Sequence, residues 1–253
     1  RAKSVICLAR RYKRNDDERD PEFAKKIARY ARGRDYHNHV RRKLRQLSAF
    51  VRSLAPDTNA RPIVDDAPLL ERAWAARAGL GFVGKNGLLI VPGLGSYVLL
   101  GEIVTTLELT ADSAIPERCG SCTRCLDGCP TQAFPRPFVL DARRCLAYLT
   151  IEHRGDIPEE FQPFVGERFF GCDACQEVCP FNASSRPQTA NTSPFEPHPR
   201  WASTTLADVE ALTEATFPAF AEGSPLYRAG VEGLTRNARI ARKFSGSGGS
   251  SNG

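Results

Sequence analysis

The sequence predicts an α/β protein of the α+β kind. A mixed strand–helix domain spans residues 1–110, a cysteine-rich domain 111–195, a helical C-terminal region 196–243 and a flexible tail 244–253. Three observations carry this. Both strand and helix periods of apolar residues occur in the first 110 positions. Eight of the nine cysteines fall between positions 119 and 179, seven of them in two runs and Cys145 between the runs. Hydrophobic residues make up 42% of 253 positions, enough to build the core of one large domain or two small ones.

The elements follow in order. Residues 3–9, which contain Ser4-Val5-Ile6-Cys7-Leu8, read as a core strand leading into a polar loop rich in Asp and Arg. Over 36–54 the apolar residues Val40, Leu44, Leu47, Val51 and Leu54 form one helical stripe, ended by Pro56. A second helix is expected over 67–79, with Pro68 in its first turn and Gly79 as its stop. Leu88-Leu89-Ile90-Val91 reads as a strand over 87–92. The turn residues Pro92 to Ser96 then lead into a strand from Tyr97 to Thr105, so 87–105 is expected as a hairpin. Residues 188–200, rich in Pro and Thr, read as a linker, 201–242 as helical, and FSGSGGSSNG as a flexible tail.

Net charge is +6, unevenly spread: residues 1–52 carry +11 and the remainder −5. A local basic excess of this size points to a polyanionic partner such as nucleic acid, or to a solvated helix face, since Arg41, Arg42, Lys43 and Arg45 fall mostly off the apolar stripe. No run approaches the ~18 apolar residues of a membrane span and no signal-peptide pattern opens the chain. The sequence contains no methionine, position 1 included, so it reads as a segment starting inside a longer gene product.

Gly79, Gly81 and Gly84 have the G-x-G-x-x-G spacing of a dinucleotide-binding loop. That motif needs a strand before it and a helix after it. Here the predicted helix precedes and the strand follows, so no helix N-terminus is available to grip phosphate, and the nucleotide reading is set aside.

The cysteines decide the chemistry. CGSCTRCLDGCP, Cys119 to Pro130, is a complete C-x2-C-x2-C-x3-C-P run, the iron–sulfur signature of bacterial ferredoxins. Three thiolates on one tight loop reach three corners of a cubane, and the cysteine before the proline ligates the other cluster. GCDACQEVCP repeats the run without its first cysteine, and Cys145 supplies the missing ligand from upstream. The count then closes: Cys119, Cys122, Cys125 and Cys179 for one [4Fe-4S] cluster, and Cys129, Cys145, Cys172 and Cys175 for a second. Zinc is the competing reading, but it is usually held by two separated knuckles and has no use for a run of four. A disulfide framework does not suit a chain of this length without a secretion signal. Cys7 is left as a structural thiol in an apolar strand.

Several stretches together resemble the epoxyqueuosine reductases: KIARYARGRDYH, VDDAPLLERAWAARAGLGFVGKNGLLI, GSYVLLGEIVTTLEL, CGSCTRCLDGCPTQAF, RRCLAYLTIEHRGDIP and FFGCDACQEVCPFN. The resemblance implies a cobalamin-binding domain over 1–110 and a ferredoxin-like two-cluster domain over 111–195. It implies a cytoplasmic, monomeric enzyme that reduces epoxyqueuosine to queuosine at the wobble position of tRNA. Electrons would come from an unidentified reductant such as a flavodoxin or ferredoxin and pass through two [4Fe-4S] clusters to cobalamin. Asp65 falls on the family's proton-donating Asp, while Asp66 reads as the cap of the following helix. A proton donor at neutral pH needs a raised pKa, so burial of Asp65 beside an apolar corrin face is expected. Arg29, Lys85 and Asn86 are assigned by the same resemblance to cobalamin, and the glycine-rich turn 79–86 to the lining of its pocket.

Asp35-Tyr36-His37-Asn38-His39-Val40 begins like the cobalt-ligating D-x-H-x-x-G but has Val40 where the glycine is required, so His37 and His39 are read as surface or second-sphere residues. Relative to the family, an N-terminal segment and the region beyond GLTRNARIA are missing. Two other functions remain: a dicluster electron carrier, which would need neither the first 110 residues nor Asp65, and a reductive dehalogenase. The VDDAP motif and the basic N-terminal third favour tRNA.

Overall fold

The computed structural model describes residues 1–14, 17–183 and 195–245. Most of the expected linker and nearly all of the expected tail lie outside the described residues. The first part runs β1 (Ser4–Arg11), α1 (Glu22–Lys25), α2 (Tyr36–Ser53), β2 (Ala60–Ile63), α3 (Glu71–Arg77), β3 (Phe82–Val83), β4 (Leu89–Ile90) and β5 (Val98–Thr105). The cysteine-rich part holds α4 (Arg124–Asp127), α5 (Leu146–Ile151), α6 (Gln162–Val165), α7 (Ala174–Glu177) and α8 (Pro180–Ala183). The C-terminal part holds α9 (Leu206–Glu210), α10 (Phe217–Ala221) and α11 (Gly230–Ser245).

β5 is the centre of a three-stranded antiparallel sheet, order β1-β5-β2. The edge position of β2 accommodates Pro62, which has no N–H to give a ladder. Alternation puts Ile6, Leu8, Leu99 and Ile103 against Val40, Leu44 and Val51 of α2. It puts Cys7, Ala9, Val98 and Leu100 on the other face, against Ala75 of α3. α2 lies so close to β5 that a Cβ on Gly101 would sit 2.8 Å from Leu44 Cδ1. Asp35 caps α2 by accepting from His37 N–H at 2.9 Å. The expected stripe holds through Val51, but Leu54 lies past the last turn and is exposed.

Two expectations are corrected. The helix placed at 67–79 begins only at Glu71, because residues 64–68 form bends in which Asp65 takes φ +52°, and Leu69 N–H bonds Ala67 O. Asp66 therefore caps nothing: the residue before α3 is Leu70, and Asp66 accepts from Val64 N–H instead. The hairpin 87–105 does not form either. β4 pairs antiparallel with β3, while β5 pairs with β1 and β2.

The cysteine-rich part contains an internal near-repeat. α4 and α7 each follow a cysteine loop, each is a single turn, and each leads into a Cys-Pro pair. The two turns meet at Gly128 and Val178: a Cβ on Gly128 would lie 3.1 Å from the Val178 side chain. The largest apolar cluster joins all three parts, with Phe23, Ile27 and Ala31 from the first, Phe169 and Phe170 from the second, and Trp201, Leu226 and Leu234 from the third. Trp201 Nε1–H donates to Arg32 O at 2.6 Å across that junction. No helix among the described residues is long and apolar enough to cross a membrane.

Candidate functional site

The last cysteine of the second run is brought to the first run. Cys119, Cys122 and Cys125 of the first run line one cavity with Cys179 of the second. Burial raises the Cys119 thiol to about 11 and raises those of Cys125 and Cys179, and the neighbouring cysteines of the set add to each shift. Cys172, Cys175 and Cys145 form a second group. Burial raises Cys175, and nearby Cys172 and Cys145 raise it further. Cys129 sits in a turn where Ala133 N–H donates to its sulfur at 3.3 Å. Arg144, next to Cys145, donates from Nε to Thr131 O at 3.0 Å, tying that turn to the Cys145 segment. Among the described residues no three His, Cys, Asp or Glu side chains converge tightly enough to hold a single metal ion. Thiols arrayed around a cavity suit a cubane, whose irons spread the ligands apart, better than one tetrahedral zinc. Cys7 stands apart in β1, opposite Glu102.

The three residues assigned to cobalamin lie against the cysteine loops. Lys85 Nζ donates to Gly120 O at 2.5 Å and to Cys122 O at 2.9 Å. Asn86 is buried and lines the first cysteine cavity. Arg29 bonds Asp173 at 3.2 Å and Glu177 at 2.8 Å, beside Cys172 and Cys175. The glycine turn has its own geometry. Gly79 takes φ +71° and ends α3, and Gly84 is followed by a tight turn closed by Gly87 N–H to Gly84 O.

Asp65 lies elsewhere, on the bend before α3. Its backbone N–H donates to Glu71 Oε1 at 2.7 Å, its Oδ2 accepts from Tyr36 OH at 3.3 Å, and that same oxygen faces His37 Nε2 at 3.6 Å. His37 Nδ1 is 2.7 Å from Asp35 Oδ1, and its ring stacks on Tyr36 at 4.1 Å between centroids. An Asp35–His37–Asp65 row results. The hydrogen bond to Asp35 and then the proximity of Asp65 push the His37 imidazole up to about 9, so it is protonated at neutral pH. His37 in turn lowers the Asp65 carboxyl. The expected raised pKa is therefore corrected: the Asp65 side chain is 68% exposed and sits next to a cation. The sequence points to His37 only as a surface or second-sphere residue and gives no sign of Tyr36 as a partner; the D-x-H fragment, which places Asp35 beside His37, is the signal for this row.

A mixed α/β unit joined to a cysteine-rich unit in which Cys179 of the second run meets Cys119, Cys122 and Cys125 of the first defines the class: a two-cluster iron–sulfur protein with a further α/β domain. The comparisons specify it further. Residues 118–182 match the family described as "4Fe-4S double cluster binding domain", and residues 1–66 match "Epoxyqueuosine reductase QueG, DUF1730". The chain is 41% identical over 236 residues to the epoxyqueuosine reductase of Cellulophaga algicola, covering 93% of this chain and 76% of that protein. It is 44% identical over 247 residues to the enzyme of Gloeobacter violaceus, covering 96% and 77%. It superposes with TM-score 0.83 and 34% identity on a crystal structure of epoxyqueuosine reductase with an epoxyqueuosine-modified tRNA-Tyr stem loop, covering 96% of this chain and 64% of that one. A Bacillus subtilis epoxyqueuosine reductase solved with its catalytic Asp loop swung out of the active site gives TM-score 0.82 at 33% identity, covering 96% and 64%. The chain belongs to the epoxyqueuosine reductase family. It spans about three quarters of the two curated relatives and just under two thirds of the solved chains.

Proposed function

We propose that this chain carries the electron-transfer and acid-donating parts of an epoxyqueuosine reductase acting on tRNA. The observation that carries the reading is the crossed convergence of Cys119, Cys122 and Cys125 with Cys179 on one cavity. An electron carrier also needs such clusters. The Asp35–His37–Asp65 row, held by the bend before α3, belongs to a substrate-converting site instead. The stem-loop-bound relative and the +11 charge of residues 1–52 support a tRNA substrate.

In this reading Cys119, Cys122, Cys125 and Cys179 hold one [4Fe-4S] cluster and Cys129, Cys145, Cys172 and Cys175 the other. An external one-electron donor such as a flavodoxin or ferredoxin reduces them. An apolar concave surface of about 740 Å³ begins at Leu70, five positions after Asp65, and includes Trp74, Phe82 and Phe138. Phe82 also packs with Cys119 and Cys179. The size and lining of this surface fit one face of a corrin ring, and these residues would hold cobalamin. Bound cobalamin supplies a low-potential cobalt centre that accepts electrons singly.

Overall, the epoxide takes up two electrons and two protons, two C–O bonds break, a C=C bond forms and one water leaves. Asp65 protonates the departing oxygen. Because its carboxyl is lowered and ionised at neutral pH, the proton reaches Oδ2 from Nε2–H of the His37 imidazolium, which Asp35 anchors. Tyr36 OH fixes the same oxygen.

The test is anaerobic reconstitution with iron, sulfide and cobalamin, followed by turnover of an epoxyqueuosine-containing stem loop. We expect about eight iron atoms per chain. We expect Asp65→Asn to keep its iron and cobalamin content while turnover falls on the order of 10²–10⁴-fold. Normal turnover by that variant would remove Asp65 from the mechanism, and an iron content near four would remove the two-cluster assignment.

A further inference from the structure

Asn86 is 5% exposed and lines the cavity formed by Cys119, Cys122, Cys125 and Cys179. Its Oδ1 accepts from Leu88 N–H at 3.2 Å, which sets the orientation of the amide. The other end, Nδ2, is buried and has no hydrogen-bond partner among the described residues. A buried amide donor left unpaired is costly, so a side chain held this firmly implies an acceptor that completes it.

The surroundings fix Asn86 in place. Gly84 leaves room for it: a Cβ there would lie 3.1 Å from Asn86 Oδ1 and 2.6 Å from Ile90 Cδ1. Lys85, its chain neighbour, clamps the same turn to the cysteine loop through Gly120 O and Cys122 O. The sequence GKN thus places one cation on the carbonyls of the cysteine loop and one neutral N–H donor at the cavity the thiols surround. Thiolates and bridging sulfides are the acceptors that chemistry would supply there.

We propose that Asn86 Nδ2 donates a hydrogen bond to a sulfur of the cluster held by Cys119, Cys122, Cys125 and Cys179, and thereby raises that cluster's reduction potential. This rests on the ligand assignment of the preceding subsection. On reduction the cluster takes one electron, from the 2+ to the 1+ state, with no atom gained or lost. The added charge spreads over the sulfurs, so an N–H donor stabilises the reduced state more than the oxidised one. Lys85, by contrast, is engaged by backbone oxygens and acts by positioning the loop.

The experiment is a potentiometric titration with dithionite, followed by EPR, of the reconstituted chain and of Asn86→Leu and Asn86→Asp, with iron counted in each. Leu removes the donor at similar size, and Asp keeps the shape while replacing the donor with an acceptor. The expected result is about eight iron atoms in all three proteins. One of the two midpoint potentials shifts down in Asn86→Leu and further down in Asn86→Asp, while the other midpoint stays fixed. If Asn86→Leu fails to keep its iron, Asn86→Asp decides alone. Full iron with both midpoints unmoved overturns the proposal. So does loss of four iron atoms in both variants, which would make Asn86 a structural support of the loop. An unaltered chain that never binds more than about four iron atoms defeats the underlying cluster assignment instead.

Discussion

Glu102 has no exposed surface, sits in the middle of β5, and neither of its carboxyl oxygens finds a donor among the described residues. The groups facing it are Glu71 from α3 and Cys7 from β1. Glu71 spends its Oε1 on the Asp65 backbone N–H. Two carboxylates placed together in an apolar layer cannot both ionise, so one keeps a proton. Burial, reinforced by Glu71, raises the Glu102 carboxyl from its ordinary value of 4.5. The native state therefore binds more protons than the unfolded chain above pH ~4.5, and stability falls as pH rises toward the native value. Glu102→Gln keeps nearly the same size and removes the titration. Urea unfolding between pH 5 and 8 is expected to show a declining midpoint in the unaltered protein and a flatter one in the variant, which is the more stable of the two at pH 8. Equal slopes would assign the dependence to another group. None of this was legible in the sequence, where Glu71 and Glu102 stand 31 positions apart and each reads as an ordinary surface acid.

At the scale of elements, what could be read was what local periodicity determines. β1, α2 and β5 appeared close to their observed bounds because stripe or alternation is long enough to show in each. The pairing of β4 did not. Leu88 to Val91 is a short apolar run whose partner is chosen by tertiary packing, and Phe82-Val83 won it from the far longer β5. Local reasoning did find the stop at Gly79, and the structure adds why glycine is needed there. At φ +71° a Cβ would lie 2.3 Å from Ser113 O, so strain and collision combine. Gly79→Ala is expected to cost ~2–4 kcal/mol. Gly93 shares the positive φ, at +76°, but opens onto empty space. Gly93→Ala is expected to cost ~1–2 kcal/mol, the left-handed penalty alone. Thermal melts of the pair separate the two contributions. If both variants melt together, the contact at Ser113 relaxes freely and the collision argument fails.

For the molecule as a whole, the linear division into segments that cysteine spacing and composition suggest does not describe how the core is shared. Phe23 packs against Phe169 with ring centroids 5.5 Å apart and against Trp201 at 5.4 Å, so one aromatic cluster draws on positions from all three stretches. Arg29–Asp173 and Ser96–Asn182 bonds add polar ties between the strand–helix part and the second cysteine run. The second cysteine run is thus tied to the shared core, and α2, whose own apolar face packs on the sheet, meets that core where the Tyr36 ring contacts Tyr30 at 6.0 Å between centroids; Tyr36 in turn holds the carboxyl of Asp65. A core shared this way predicts one cooperative unfolding transition in place of separate ones. In the reconstituted chain the iron–sulfur absorbance and the helical circular dichroism should be lost at a common denaturant midpoint. Trp201→Phe tests the coupling directly. It keeps most of the ring but removes the Nε1–H bond to Arg32 O, and Arg32 O still accepts from His198 N–H at 2.9 Å. The cost is ~1–3 kcal/mol. Both signals should shift together by the same amount, although Trp201 lies 22 positions beyond the last cysteine. A shift confined to circular dichroism, with the cluster absorbance unmoved, would mean that the cysteine-rich part folds on its own and that the shared aromatic cluster is a passive contact.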